Sequence, residues 1–260
     1  MIDKTAIIHK NAKVSKKAKI GPFCIIGSRV EIDDDVELHS HVNIAGNTKI
    51  GSGTIIFPFA SIGTEPQDLK YSGEENSLVI GKNNKIREYV TINPGTKGGG
   101  GKTVVGDKCL FMISSHIAHD CFIGNEVVIA NNVAVAGHAI IEDSVIIGGN
   151  SGVQQFTRIG RLAMVGGMTG VSKDIIPFGL SFGNRNYLQG INLIGLRRKK
   201  YENKKIMELD AAFKKIFTSK NIHENLNKIN GEYKGNDLVA EVINFISKDK
   251  KRPICTPQSK

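Results

Sequence analysis

An aliphatic residue recurs at every sixth position through the first two thirds of the chain. From Ile2 the sequence divides into IDKTAI, IHKNAK, VSKKAK, IGPFCI and so on to IGTEPQ, eleven hexads each led by Ile, Leu or Val. The stretch DLKYSGEENSLV interrupts them, and three more hexads resume at Ile80. A Gly-rich stretch over 98–104 interrupts again, and hexads then run from VGDKCL to VSKDII with Phe111 as the one non-aliphatic leader. A period of six is neither the 3.6 of an amphipathic helix nor the plain 2 of a strand. It fits a short strand and a corner, repeated. Three such units close a triangular coil of about 18 residues, and stacked coils make a parallel β-helix. The leader points into the prism. Gly and Asn near it suit corners with unusual backbone angles. The pattern predicts about eight to nine coils over 1–176, with loops near 68–79 and 98–104.

Past Ile176 the period changes. PFGLSFGNRN reads as a connector over 177–190, rich in Pro, Gly and Asn. Beyond it Ile206, Leu209, Phe213, Ile216 and Phe217 share one helical face, as do Leu238, Val242, Phe245 and Ile246. Residues 191–260 are therefore expected to form a small helical domain.

Composition supports an ordered fold of small and β-branched side chains. Of 260 residues 40% are hydrophobic, 29 are Gly and none is Trp. MIDKTAIIHKNAKV lacks the apolar run of a secretory signal, and no stretch approaches the roughly 20 apolar residues of a membrane helix. A soluble cytoplasmic protein with no integral membrane segment is expected. Cys24, Cys109, Cys121 and Cys255 show no CxxC pairing, so they read as reduced thiols. The formal charge of +10 favours an anionic partner. Arg197, Arg198, Lys199, Lys200, Lys204, Lys205, Lys214 and Lys215 concentrate it in the C-terminal part. No nucleic-acid-binding signature accompanies it, so nucleic acid is not expected as a partner.

The densest chemistry is HIAHDC at 116–121. Residues 18 apart stack in neighbouring coils, about 4.8 Å apart. His119, Gly137 and Gln155 thus form one outward column, and Asn131, Gly149 and Gly167 another on a different face. Three readings stand at this point. His119 can be a general base with the Gly137 N–H as oxyanion donor. His116, His119 and His138 can hold a metal ion such as zinc. Or these histidines simply satisfy corner hydrogen bonds.

At these residues the chain resembles a known family. HIAHDC, IANNVA, VAGHAI, IIGGNSG, the loop ASIGTEPQDLKYSGE and the start of the helical part, GINLIGLRRKK, are similar to the acyl-carrier-protein–UDP-N-acetylglucosamine O-acyltransferases of lipid A synthesis. The resemblance implies a left-handed parallel β-helix, usually assembled as a homotrimer. It implies transfer of a (3R)-3-hydroxyacyl group from the phosphopantetheine of acyl carrier protein to the sugar 3-hydroxyl of UDP-N-acetylglucosamine, with no resident cofactor and no metal. It makes His119 the general base, Asp120 its orienter and Gly137 the oxyanion donor. An imidazole, with a pKa of about 6.5, is largely neutral near pH 7 and suits that task. Adjacent side chains on an extended strand point opposite ways, so Asp120 can orient His119 only where the corner turns both together. Substrate contacts are implied for Gln67, Asp68 and Lys70 in the first loop and for His116, His138 and Gln155 on the prism. Asn192 and Arg198 would reach substrate from the helical part, Arg198 as a phosphate fork. Gly149 and Gly167, with Met164 and Met168 nearby, would line an acyl groove suited to a longer rather than a shorter chain. The basic C-terminal surface would meet the acidic carrier protein.

Two positions depart from the family pattern. VQQF puts Gln154 where a histidine is common, and TINPG puts Asn93 and Pro94 where TIHRG is common. They leave open a UDP-sugar with a 3-amino group, which would make the product an amide. Three other classes remain to be separated. The pathway's later N-acyltransferase carries an extra N-terminal domain, whereas hexads here begin at Ile2. A γ-type carbonic anhydrase would need a different histidine spacing, and a non-catalytic repeat protein would not need His119.

Overall fold

The computed structural model describes residues 1–219, 221–229, 231–248 and 252–258. Each hexad becomes a strand of about two residues followed by a corner. The strands stack into three sheets of 9, 8 and 10 strands, the faces of a triangular prism. The first face runs from Ile7–Ile8 to Gly170–Val171, the second from Lys13–Val14 to Arg158–Ile159, and the third from Lys19–Ile20 to Tyr187–Ile191. Within the coils pairing is parallel and in step, Ile7 with Ile25 and Ile25 with Asn43. The hexad leader is the inward residue of each strand. Ile26, Ile44, Ile62, Ile80, Ile92, Ile123 and Ile147 are each at most 1% exposed, and the odd leader Phe111 is fully enclosed with them. Burying one such side chain contributes about 1.5–3 kcal/mol, so repeating it every sixth residue forms the core.

The interruptions leave the prism as loops without disturbing its register. Ser61 pairs with Thr91 across the first, and Thr91 with His116 across the second. Both excursions end in strand: Ser77–Ile80 and Lys102–Val105 lie side by side on the second face. The loops are therefore shorter at their C-terminal ends than the sequence pattern suggests. Residues 177–190, expected as a connector, contain the strand Gly179–Phe182 and the start of Tyr187–Ile191, an antiparallel pair that closes the third face.

The corners share one device. The fourth residue of hexad after hexad takes a left-handed backbone, among them Lys108, Ser114, Asp120, Glu126, Asn132 and His138. Its amide neighbour closes the turn where, for example, Val133 N–H donates to Ala130 O at 3.4 Å. A left-handed third position in such a four-residue turn is the mark of type II.

Helices α1 (Leu193–Arg198), α2 (Asn203–Ile216), α3 (Ile222–Ile229) and α4 (Asp237–Lys248) follow. α2 buries Ile206, Leu209, Phe213 and Ile216, and α4 buries Leu238, Val242, Phe245 and Ile246, the faces that the periodicity marks. The chain then returns to the prism. Asp174 N–H donates to Pro253 O at 3.0 Å and Cys255 N–H to Asp174 O at 2.7 Å. Arg158 Nε bonds the buried Asp174 carboxylate at 2.7 Å while its guanidinium lies 4.3 Å from the Phe245 ring. Arg161 forks onto Glu241 of α4 and reaches the Tyr201 hydroxyl at 2.7 Å. All four cysteines are buried thiols, and burial pushes Cys121 up to about 12.

Candidate active site

His119 and Asp120 occupy the corner between the strand His116–Ile117 on the first face and Phe122–Ile123 on the second. Asp120 has φ of 58°. That left-handed step turns its side chain to the same side as its neighbour's. His119 Nδ1 then meets Asp120 Oδ2 at 2.8 Å, with the two side chains 11% and 0% exposed. A carboxylate can only accept, so Nδ1 carries the proton and Nε2 keeps its lone pair. The carboxylate is held from its other side by Thr96, whose N–H reaches Oδ1 at 2.9 Å and whose hydroxyl reaches Oδ2 at 2.7 Å.

One coil up, Gly137 gives the His119 ring its space. Its N–H has no hydrogen-bond partner among the described residues. His138, also left-handed, donates its N–H to His119 O at 3.0 Å, sets its ring edge-on to that of His119 and stacks on Phe156 at 4.4 Å. His116 Nδ1 pairs with the Thr91 hydroxyl at 2.7 Å. Burial lowers both His116 and His138 from the ordinary imidazole value, so each is neutral near pH 7. His116, His119, Gly137 and Gln155 line one cavity of about 540 Å³ together with Gln67, which the first excursion carries in. Lys70 is exposed and its N–H caps the Asp68 carboxylate at 3.0 Å, so the chain alone does not bring these two into that cavity. The charge of Asp68 is felt at His138.

Ligand atoms of His119, Asp120 and His138 lie within 4.8 Å of one another. This is not the trio of the sequence-based metal reading, since His116 turns to Thr91. The donor set also fits a cation poorly. Asp120 already accepts three hydrogen bonds from Thr96 and one from His119, which leaves only imidazole nitrogens unengaged.

An apolar groove of about 740 Å³ lies on a different face. Val128, Ile146, Met164 and Leu180 of the third face line it together with Leu193, Ile194 and Arg198 of α1 and with Asn192. Asn192 is largely spent on the fold: its Oδ1 caps α1 through Gly195 N–H and its Nδ2 donates to Leu162 O, each at 2.9 Å. Gly149 and Gly167 lie on the corner between this face and the first. A β-carbon on either would meet only the main chain of the coil below. Met168 beside them is left-handed and 78% exposed.

The sequence reading missed Thr96, and Glu74, which accepts from Lys97 N–H at 3.1 Å and ties the two excursions together. Asn93, noted there only as a departure, is buried and donates to Thr64 O and Glu65 O at 3.1 and 3.2 Å, fixing the root of the first excursion.

A hexad prism with a histidine–aspartate dyad on one corner and an apolar groove on another face defines a hexapeptide-repeat acyltransferase. A family model described as UDP N-acetylglucosamine O-acyltransferase, domain 2, matches residues 174–255. A relative from Paracoccus denitrificans, named acyl-[acyl-carrier-protein]–UDP-N-acetylglucosamine O-acyltransferase, is 47% identical over 203 residues, covering 78% of this chain and 77% of that protein. The solved structure of the Moraxella catarrhalis UDP-N-acetylglucosamine O-acyltransferase is 43% identical and superposes with a TM-score of 0.94, over 97% of this chain and 98% of that one. That of Acinetobacter baumannii is 40% identical, also with a TM-score of 0.94, over 97% and 99%. The chain belongs to the acyl-carrier-protein–UDP-N-acetylglucosamine O-acyltransferase family, and its fold is the left-handed parallel β-helix expected from the sequence.

Proposed function

We propose that His119 is the general base of transfer of a 3-hydroxyacyl group from acyl carrier protein to the 3-hydroxyl of UDP-N-acetylglucosamine. The observation that carries this is the buried His119–Asp120 hydrogen bond beside the open Gly137 N–H. Asp120 holds the tautomer that leaves Nε2 basic and stabilises the imidazolium once formed. Nε2 takes the proton of the sugar hydroxyl, and the freed oxygen attacks the thioester carbonyl. Gly137 N–H faces the developing oxyanion. His119 returns its proton to the pantetheine thiolate as the tetrahedral intermediate collapses. The acyl group arrives on the carrier's phosphopantetheine, and no resident cofactor or metal takes part.

The site is completed between copies of the chain. Within one protomer the histidine corner and the apolar groove lie on different faces, so one protomer's groove, with Met164 and Arg198, serves another's His119 in a homotrimer. Gly149 and Gly167 leave that junction open for a long acyl chain, and Gln67, Asp68 and Lys70 close over the sugar nucleotide. The basic surface of α1 and α2 receives the acidic carrier protein, in the cytoplasm.

The test is acyl transfer to UDP-N-acetylglucosamine by wild type and His119→Ala, with bound metal quantified in both. Activity lost in the variant without stoichiometric metal supports the base. Stoichiometric zinc with no transfer in wild type refutes it. Transfer only to a UDP-sugar with a 3-amino group would keep the base and change the acceptor, the change that Gln154 and Asn93 leave open.

A further inference from the structure

The Asp120 carboxylate is fully enclosed, yet His119 is the only partner its own coil supplies. Among the described residues, its remaining hydrogen bonds all come from one residue of the Gly-rich excursion. Thr96 N–H reaches Oδ1 at 2.9 Å and Oδ2 at 3.0 Å, and the Thr96 hydroxyl reaches Oδ2 at 2.7 Å. Oδ2 is the oxygen that also receives His119 Nδ1. Hydroxyl and imidazole therefore share one acceptor atom, and the main-chain N–H spans both oxygens. That fixes the plane of the carboxylate.

The excursion is shaped to make this contact. Thr96 O accepts from Gly99 N–H at 3.0 Å and Gly101 N–H at 2.8 Å, curling the segment into a single tight turn. The turn needs left-handed backbone at Gly100 and Gly101. A β-carbon on Gly99 would collide with the Asp120 carboxylate, so the glycine lets main chain lie directly against it. Thr96 itself is 3% exposed. The next residue, Lys97, gives its N–H to Glu74 of the first excursion. The turn is thus anchored on the loop that brings Gln67 to the cavity.

We propose that Thr96 is a positioning residue of the transfer reaction: it sets the orientation of Asp120, and through it the ring of His119. The proposal rests on His119 acting as the base. Thr96 acts on the dyad from outside the coil, so the Gly-rich interruption of the hexads is a functional part rather than a tolerated insertion.

The experiment compares wild type, Thr96→Val and Thr96→Ser as full chains, by steady-state transfer kinetics and thermal unfolding. Valine keeps the branched shape and the main-chain N–H and puts a methyl where the hydroxyl donates at 2.7 Å, whereas Thr96→Ala removes the hydroxyl with nothing in its place. Serine keeps the hydroxyl. Thr96→Val is expected to lower kcat about tenfold or more, with KM for either substrate little changed and Tm lowered modestly by the lost buried hydrogen bond. Thr96→Ser is expected to keep kcat within about threefold. Thr96→Ala supplies a second hydroxyl-free variant should valine fail to pack. Full kcat in a folded hydroxyl-free variant overturns the role of Thr96 alone, as does a serine variant as slow as valine. A wild-type protein that transfers no acyl group overturns the reading of His119, and this proposal with it.

Discussion

The imidazole of His119 lies across the bare α-carbon of Gly137, one coil above it. A β-carbon on Gly137 would stand 2.6 Å from Cε1 and 2.7 Å from Nε2 of that ring. No side chain keeps such a distance, so any substitution displaces the ring or the coil. Gly137→Ala is therefore expected to act on the dyad more than on the fold. Displacing a reacting group by about 1 Å costs about 100-fold in rate. Transfer kinetics should show kcat down by that order, with a Tm close to wild type. Unchanged kcat would mean that the ring relocates without consequence and that Nε2 is not the reacting atom.

Asp120 is surrounded by donors. Thr96 N–H, the Thr96 hydroxyl and His119 Nδ1–H all point at it. Asparagine offers one acceptor and one donor in the same volume. Turned to accept from His119, it sets its amide hydrogens against Thr96 N–H. Turned the other way, it opposes Nδ1–H and favours the wrong tautomer. Asp120→Asn should thus lower kcat by about 100-fold or more through misorientation of the base. It should also cost about 1–3 kcal/mol for the donor left without an acceptor in a buried site. Kinetics and chemical denaturation of the same preparation check both halves. A variant with full activity would remove Asp120 from the mechanism.

The prism was legible in the sequence because one rule, an inward aliphatic every sixth residue, runs from Ile20 to Val171 with only Phe111 and the two excursions departing from it. Adding 18 to a residue number even placed Gly137 beside His119, as the parallel register requires. The dyad was harder to read. Whether neighbours on a chain point together depends on the backbone angle at Asp120, and Asp is only one of many residue types at these left-handed corners. Thr96 was not readable at all. It lies 24 positions from Asp120, across an excursion that reveals its glycines but not the direction of its turn. Asn192 shows the reverse. The family resemblance implies a substrate contact there, and the structure adds a second role that the sequence reading did not mark, the N-cap of α1.

The helical part is held to the prism through Asp174. Its carboxylate accepts from Arg158 N–H at 2.9 Å and Arg158 Nε at 2.7 Å, and its main chain pairs with Pro253 and Cys255. Asp174→Asn keeps the shape and removes the charge that Arg158 Nε bonds at 2.7 Å. Breaking a buried ion pair from one side costs roughly 3–5 kcal/mol. Thermal unfolding should shift down by several degrees. Proteolysis within 252–258 should quicken, because Arg252 of the returning segment loses its 4.0 Å pairing with the Asp174 carboxylate while the main-chain bonds remain. Asp174→Asn with wild-type Tm would show that the main-chain pairing alone holds the C-terminal segment.

His116 and His138 make the fold sensitive to mild acid. Burial is the main cause that holds each below 6.5, and for His116 the nearby His119 adds to it. For His138 the charges of Asp120 and Asp68 pull the other way without cancelling the burial. Unfolding releases both rings to their ordinary value. Below about pH 6.5 the unfolded chain then binds protons that the folded chain refuses, and stability falls as pH falls. Above about pH 7 both states are neutral and these residues add no slope. Glu74, held at about 2, and the other lowered carboxylates lose their contribution only below about pH 4.5, a separate window. Glu142, raised by burial, works in the opposite sense as its carboxyl protonates. The denaturant midpoint should therefore drop between pH 7 and pH 5.5, and His116→Gln with His138→Gln should flatten that drop. An equal slope in the double variant would place the acid sensitivity elsewhere in the chain.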